Sequence, residues 1–226
     1  MSLKEFFRPS IIRPLVISLA LMFFQQFGGV NAMMFYSATI FERAGFTNST
    51  FVAIFIALVQ FVTSVASCFL MDRAGRRLML LVASVGMIIG CVLMGAYFFA
   101  STRTLCVDIS WVAVTSLAIY IVGFVLGWGP CPWLMMSEIF PVAARGKASG
   151  IATFFNWLCS FIVTMAFKYM LVWFTPAGTF WFFTVVMLFA LVFVYKVVPE
   201  TKGKSLEEVQ LYFEKKSRKH VQETKV

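Results

Sequence analysis

The chain has 226 residues, of which 61% are hydrophobic and 13% are charged, a charged share about half that of an ordinary soluble domain. A soluble fold of this size leaves much of its surface in water and cannot bury so many apolar side chains. The composition therefore excludes an ordinary soluble enzyme and a disordered chain. The formal net charge of +9 comes from basic residues between apolar blocks and in the tail, which indicates membrane loops rather than nucleic-acid binding.

Six apolar segments are each long enough to cross a bilayer as a helix, which takes about 20 residues. Short joints rich in glycine, proline or charge separate them, as expected of turns between spanning helices. We therefore expect an all-α membrane protein, with a helical bundle over residues 1–198 and a cytoplasmic tail over 199–226. The predicted spans are 11–41, 50–71, 78–100, 109–134, 148–173 and 179–198.

The distribution of Lys and Arg predicts that both termini face the cytoplasm, because basic residues are enriched in cytoplasmic loops. In that orientation only Arg43, Arg103 and Lys168 of the 19 basic residues face the opposite side. An Asn-Ser-Thr sequon at Asn48 then falls in the first outer loop. That loop is too short to present a sugar acceptor clear of the membrane, so we do not expect it to be glycosylated.

The first and fourth predicted spans are interrupted by helix-breaking residues. The first contains Gly28 and Gly29, and the fourth contains GWGPCPW, with Pro130 and Pro132. Each proline removes a backbone donor and bends a helix. At membrane depth such breaks occur where protein or a cavity supplies new backbone partners. Each broken span is the first of a triplet, and matching breaks in two halves of an inverted repeat indicate a transporter binding site.

Three amide side chains, Gln25, Gln26 and Asn31, lie near the middle of the first span. Amides are costly in hydrocarbon unless they are paired. On an ideal helix Gln26 and Asn31 point away from the face of Gln25, so we expect the glycine pair to rotate the half-helices and bring the three together. Amides donate and accept hydrogen bonds, which suits a neutral polyhydroxylated ligand. A cation would favour carboxylates, and an anion would favour arginines.

Tryptophans near these breaks and amides are candidates for packing against the apolar face of a sugar ring. Trp133 follows the prolines, and Trp157 follows Asn156 on the fifth span. The alternative for each tryptophan is anchoring at the lipid interface or helix packing. We favour that alternative for Trp128 and Trp173, and we favour ligand contact for Trp133 and Trp157.

Charged residues of both signs cluster in the predicted cytoplasmic loops. Membrane topology alone requires basic residues but no acidic ones, so we favour ion pairs that hold one conformation over topology alone. The candidates are Asp72, Arg76, Arg77, Glu138, Arg145 and Glu200.

The beginning of the tail carries a helix signal. Ser205 and Glu208 form an S-x-x-E capping box, and Leu206, Val209 and Phe213 follow as an apolar stripe. The basic cluster at 215–219 either contacts anionic lipid or belongs to a solvated tail.

Five ordered motifs resemble the C-terminal half, helices 7–12, of a sugar porter of the major facilitator superfamily. QQFGGVN is similar to the seventh-helix signature, DRAGRR to the loop after the eighth helix, and GWGPCPW to the tenth helix. SEIFPVAARGKASG resembles the following loop, and PETKG resembles the motif that closes the twelfth helix. The resemblance is greatest to class III facilitative glucose transporters, with insect trehalose transporters as the nearest alternative. It implies six transmembrane helices forming one half-bundle, built as a 3+3 inverted repeat.

The resemblance also implies roles for individual residues. The charged cluster matches the inner gate of the family, and no cofactor or metal is implied. Gln60 and Val125 stand where many plasma-membrane glucose carriers have Asn and Glu, which affects selectivity. The implied substrate contacts are Gln25, Gln26, Asn31, Trp133, Asn156 and Trp157.

Two functions stay open at this point. The first is facilitative transport of a glucose-like hexose, or of trehalose, by alternating access in a plasma, endosomal or lysosomal membrane. This chain would supply most of the sugar contacts, and its N-terminal six-helix partner bundle is absent from it. The second is a half-size, non-transporting partner or regulator of a full-length carrier. An enzyme is not expected, because the one histidine, His220, lies in the tail and no nucleophile–base pair is evident.

Overall fold

The structure is a computed structural model of the chain, and it describes residues 9–35, 37, 49–102 and 110–213. All regular secondary structure within these ranges is helical. The Asn48 sequon, the end of the first predicted span and the basic cluster at 215–219 lie outside the described residues.

The helices follow the order of the predicted spans. A short helix over 206–213, named α9, comes after them. The other elements are α1 (Pro9–Phe27), α2 (Val30–Phe35), α3 (Ser49–Ala74), α4 (Arg76–Ser101), α5 (Ser110–Gly123), a π-helical turn (Phe124–Trp128), α6 (Cys131–Ile139), α7 (Val142–Trp173) and α8 (Thr175–Val197).

Five stretches of the described chain are helical, long and apolar enough to cross a membrane. They agree with the second to sixth predicted spans, and they make this an integral membrane protein. A shorter apolar helix, Ile11–Phe27, precedes them. Because the first predicted span continues beyond the described residues, a count of six spans stays a prediction. The five stretches are Ala53–Ala74, Arg76–Ser101, Trp111–Ile139, Val142–Trp173 and Thr175–Val197.

Helix α4 lies at the centre of the bundle, packed against α5, the π-helical turn and α8. Small residues allow this close approach, as they do between other membrane helices. A Cβ atom added at Gly86 would lie 3.3 Å from the Cα atom of Gly123, and one added at Gly90 would lie 2.7 Å from the Cβ atom of Tyr120. The seam between α4 and α5 therefore fixes the position of the π-helical turn that follows α5.

The glycine pair separates α1 from α2, as the sequence predicts. Gly29 has a φ of 92°, a conformation that strains residues with a side chain. A Cβ atom there would also lie 2.8 Å from the ring of Phe183. The hydroxyl of Tyr120 donates a hydrogen bond of 2.9 Å to the carbonyl oxygen of Gly28, so the interrupted backbone has a buried partner.

The capping box at the start of α9 is confirmed. The backbone N–H of Ser205 donates to Glu208 Oε2 at 2.8 Å, and the N–H of Glu208 donates to Ser205 Oγ at 3.2 Å. Val209 and Phe213 are buried against the bundle, whereas Leu206 is exposed. The beginning of the tail is therefore docked through two of its three predicted apolar positions.

Candidate binding site

A line of hydrogen-bonded amide side chains crosses the interior of the bundle between α1, α2 and α7. Asn156 donates to Gln25 Oε1 at 2.7 Å, and Asn156 Oδ1 accepts from Gln26 Nε2 at 3.1 Å. Asn31 donates to Gln26 Oε1 and to Ser160 Oγ, both at 2.7 Å. We call these four amides and Ser160 the amide network. The glycine pair does bring Gln25, Gln26 and Asn31 together, with Asn156 as the link between the two glutamines.

The amide network is buried at one end and open at the other. Gln25 is 2% exposed and Asn156 is 1% exposed, whereas Asn31 is only half-buried. Buried amides need hydrogen-bond partners, because an unpaired one loses its hydration without compensation. The buried amides are paired with one another, with Ser160 and with backbone carbonyls. A ligand that arrives at Asn31 meets the accessible end first.

Gln25 connects the amide network to the proline-rich break. Pro132 has no N–H, so the carbonyl of Trp128, four residues earlier, lacks its usual helical donor. Gln25 Nε2 donates to that carbonyl oxygen at 2.6 Å and to the carbonyl oxygen of Gly129 at 3.0 Å. A side chain on one broken helix therefore completes the backbone hydrogen bonding of the other.

The second proline is compensated in the same way from α3. Pro130 leaves the carbonyl of Leu126 without a helical donor, as the sequence predicts. Ser67 Oγ donates a hydrogen bond of 3.2 Å to that carbonyl oxygen. Both proline defects are thus repaired by side chains of neighbouring helices, which ties the position of the break to the packing around it.

The break is a widened turn rather than a sharp kink. The N–H of Gly129 donates to the carbonyl oxygen of Phe124, five residues earlier, at 2.7 Å, which is the π-helical pattern. Gly129 (φ −63°, ψ −66°) and Pro130 (φ −87°, ψ −36°) keep right-handed helical angles. The helix therefore continues from α5 into α6 with one extra residue in the turn. π-Helical turns of this kind are frequent at functional sites.

The tryptophans differ in how exposed their side chains are. Trp128 is fully buried, and its Nε1 donates to Ser84 Oγ at 2.8 Å, which agrees with the packing role expected for it. Trp157 is 65% exposed, because one residue along a helix rotates it about 100° away from Asn156. Trp133 is partly buried. Neither Trp133 nor Trp157 makes a hydrogen bond to the amide network in the described part of the chain.

Three of the six predicted gate charges meet at one end of the bundle, which we call the charged end. Arg76 and Glu138 form an ion pair, with 3.0 Å between Arg76 Nη2 and Glu138 Oε1, and Thr201 Oγ1 donates to Glu138 Oε2 at 2.6 Å. Glu200 accepts the backbone N–H groups of Arg76 at 3.1 Å and of Arg77 at 3.2 Å. A carboxylate at this position is favourable because it pairs with free N–H groups and the positive end of the helix dipole.

Three of the predicted gate residues are arranged differently from this group. Arg77 donates through Nη2 to the carbonyl oxygen of Tyr195. Arg145 donates to the carbonyl oxygen of Phe140 at 3.4 Å. Asp72 is exposed and makes no ion pair within the described ranges. The structure therefore joins Arg76, Glu138 and Glu200 through their contacts at α4 and leaves the other three outside that cluster.

Sequence reasoning missed the hydroxyl groups that complete the site. Four hydroxyl side chains hydrogen-bond to the helix breaks, the amides or the gate charges that the sequence indicated. They are Ser67, Tyr120, Ser160 and Thr201. For Ser67 a signal was present, since the carbonyl freed by Pro130 requires a buried donor on a neighbouring helix. Which neighbour supplies it depends on helix packing, which the sequence pattern does not specify.

Comparisons with known proteins identify sugar transporters as relatives of this chain. The family model described as Sugar (and other) transporter matches residues 1–213. The facilitated trehalose transporter Tret1 of Apis mellifera ligustica is 41% identical over 213 residues, which is 94% of this chain and 42% of that protein. Facilitated glucose transporter member 8 of Mus musculus, of solute carrier family 2, is 39% identical over 225 residues, covering 92% of this chain and 47% of that protein.

Solved structures show the same fold. The proton:xylose symporter XylE, bound to 6-bromo-6-deoxy-D-glucose, matches with a TM-score of 0.79 and 30% identity over 88% of this chain and 42% of that one. The inward-open xylose transporter XylE from E. coli matches with a TM-score of 0.76 and 31% identity over 89% of this chain and 42% of that one. XylE is a protein of the major facilitator superfamily.

The chain spans a little under half the length of the curated relatives compared above, 42% and 47%. Those relatives are named as transporters, which supports the expectation that the chain is not an enzyme. A family model matched over residues 1–213, the ordered motifs and the XylE-like helical fold all lead to one assignment. The chain belongs to the sugar transporter family of the major facilitator superfamily.

Proposed function

We propose that this chain is the C-terminal, sugar-contacting bundle of a facilitative sugar carrier, and that Gln25, Gln26, Asn31 and Asn156 bind the sugar. The observation that carries the proposal is the continuous amide network beside two broken helices. Broken helices at matching positions of an inverted repeat are typical of transporter binding sites. The relatives that share these motifs are named as glucose or trehalose transporters.

Neutral sugars suit this site because of its chemistry. Each amide of the network offers N–H donors and an oxygen acceptor, and the network contains no charged side chain. Sugar hydroxyls both donate and accept, so they replace amide–amide bonds without leaving a buried group unpaired. A charged ligand would lack a counter-charge there, and its burial would be costly.

A glucose-like hexose is the substrate that we propose first, with trehalose as the second candidate. The proposal of a hexose is supported by the resemblance of the amides to the family's hexose contacts and by a relative named as a glucose transporter at 39% identity. Trehalose is favoured by a different observation, the relatives named trehalose transporters at 41% and 44% identity. We further propose that Trp133 and Trp157 line the route of the sugar, where an exposed indole is available to pack on a ring.

Alternating access is the mechanism that we propose for the complete carrier. One bundle would rock against a second six-helix bundle around the shared site, with both termini of this chain in the cytoplasm. The relatives have about twice the length of the matched region, which supports a second bundle. The regulator alternative is not favoured, because the polar groups that a carrier needs are retained in this chain.

We also propose that the predicted gate charges act as an inner gate at the charged end. The contacts that support this are the Arg76–Glu138 ion pair and the capping of α4 by Glu200. Asp72 and Arg145 are assigned to contacts with the second bundle, whereas Arg77 is held against Tyr195 of α8. Ion pairs that repack between two arrangements are an established means of switching between conformations.

Uptake into proteoliposomes tests the proposed function. The chain would be reconstituted with an N-terminal six-helix bundle from a sugar-porter relative, and radiolabelled D-glucose and trehalose would be compared with L-glucose. We expect saturable entry of D-glucose or trehalose in preference to L-glucose. Gln26→Ala should reduce this entry, whereas the control Gln210→Ala, on α9 and outside the amide network, should not. Equal entry of D- and L-glucose, with trehalose excluded, would contradict the proposal.

A further inference from the structure

A groove of about 490 Å³ runs along the outside of the bundle between α4 and α8. Its walls are almost entirely aliphatic, and Val82 and Val192 are each about half exposed. It shares no residue with the amide network, which lies between α1, α2 and α7. The lining residues are Leu81, Val82, Val85, Leu191, Val192, Tyr195 and Lys196.

Two cationic side chains lie at the charged end of this groove. Lys196 forms part of the lining and is exposed. Arg77 precedes Leu81 by four residues, so both lie on the same face of α4. The guanidinium carbon of Arg77 lies 5.7 Å from the ring centroid of Tyr195, and Arg77 also donates to the carbonyl oxygen of Tyr195. Tyr195 therefore joins the apolar wall to the cationic rim.

Neither cation is paired with a carboxylate in the described part of the chain. The oxygens of Glu200 accept backbone N–H groups, including that of Arg77. Glu138 is paired with Arg76. Lys196 makes no hydrogen bond or ion pair to another described residue. The groove therefore combines an apolar floor, about one helical turn long on α4 and on α8, with cationic side chains at the end near Tyr195.

We propose that this groove binds an anionic glycerophospholipid, with one acyl chain along α4 and α8 and the phosphate between Arg77 and Lys196. The aliphatic walls select a hydrocarbon chain, and the two cations select the charge of its headgroup. Basic residues near the membrane surface attract anionic lipids by about 1 kcal/mol each, a factor of about five in affinity. A zwitterionic lipid carries its own cation near the phosphate, so it gains less from Arg77 and Lys196.

The charge requirement is tested by native mass spectrometry of the purified full chain in detergent. Dioleoylphosphatidylglycerol and dioleoylphosphatidylcholine would be added in equal amounts, and the bound lipid counted. We expect the chain to retain phosphatidylglycerol in preference to phosphatidylcholine. Lys196→Gln should lower that preference about fivefold. The matched control is Lys147→Gln, which removes an exposed charge on α7, away from the groove. An equal effect of both substitutions would overturn the proposal, because it would show only attraction to net positive charge.

The acyl-chain requirement is tested by filling the groove without changing its charge. Val192→Phe adds bulk to a half-exposed wall position, and Val82→Phe does the same from α4. We expect both variants to lose the bound phosphatidylglycerol while keeping the melting temperature of the parent chain. If phosphatidylglycerol retention is unchanged in either variant that keeps its melting temperature, the groove is not the site and the proposal fails. Sugar protection, measured in parallel, distinguishes failure of this lipid site from failure of the sugar site.

Discussion

Asn156 links the two glutamines of the amide network. It donates to Gln25 and to the sulfur of Met22, and it accepts from Gln26. It is also 1% exposed, so water cannot replace a lost partner. A buried amide with every group paired rigidifies its surroundings, whereas a partly paired one is destabilising.

Replacing Asn156 with alanine leaves Gln25 Oε1 and Gln26 Nε2 without their partner. Leaving buried polar groups unpaired costs about 1–3 kcal/mol, so Asn156→Ala should lower the free energy of unfolding by that amount. Chemical denaturation in detergent measures it. The control is Ser160→Ala, which removes one bond to the half-open end and should cost less. Equal costs for the two variants would show that the amides do not act as a linked set.

At the scale of secondary structure, the prolines and Gln25 form one unit across two helices. Pro132 frees the carbonyl of Trp128, and Gln25 supplies the missing donor. A sugar that competes for Gln25 would therefore loosen the π-helical turn as it binds. This links occupation of the site to the shape of the broken helix.

A double-mutant cycle tests this link. Gln25→Ala should cost about 1–3 kcal/mol of stability, because the Trp128 carbonyl loses its buried donor. Pro132→Ala introduces an N–H at the helical position for that carbonyl, so it should recover part of the loss. Thermal unfolding of both single variants and the double variant measures the coupling. Additive costs would mean that Gln25 does not repair the proline defect.

Much of this element-level structure was predictable, and the reasons are physical. Apolar runs of about 20 residues predict spanning helices, and the glycine and proline positions predict where α1 and α5 are interrupted. The π-helical turn was not predicted, because a proline pair is compatible with a kink or with a widened turn. Trp157 is exposed because consecutive helical residues point about 100° apart. Its position next to Asn156 in the sequence did not reveal that the two side chains point in different directions.

Considered as a whole molecule, the bundle is closed at its charged end by contacts between segments distant in sequence. Glu138 on α6 pairs with Arg76 at the start of α4 and accepts from Thr201 after α8. Gly75 allows Glu200 to reach the start of α4, since its φ is 91° and a Cβ atom there would lie 2.8 Å from Glu200 Oε2. The sequence showed which charges cluster, but which partners they take depended on the packing of α4, α6 and α8.

Replacing Glu138 with glutamine keeps the side-chain shape and removes its charge. The side chains of Arg76 and Glu138 are 15% and 26% exposed, so the pair is partly screened by solvent. We expect Glu138→Gln to lower stability by about 1 kcal/mol, less than for a fully buried pair. Thermal unfolding at low and high salt measures it, and the difference from the parent should shrink at high salt. A salt-independent loss would indicate that the hydrogen bonds of Glu138 with Arg76 and Thr201, rather than its charge, stabilise the charged end.

Sugar-dependent thermal stability of the purified chain is the most direct test of the amide network as a sugar site. A ligand that binds the folded state raises the melting temperature with concentration. We expect D-glucose or trehalose to protect the parent chain and Gln210→Ala, and to protect Asn31→Ala much less, with L-glucose as the inactive control. Asn31 is chosen because it lies at the accessible end of the network, where a ligand arrives first. Equal protection of the parent and Asn31→Ala, or protection by L-glucose equal to that by D-glucose and trehalose, would contradict the account.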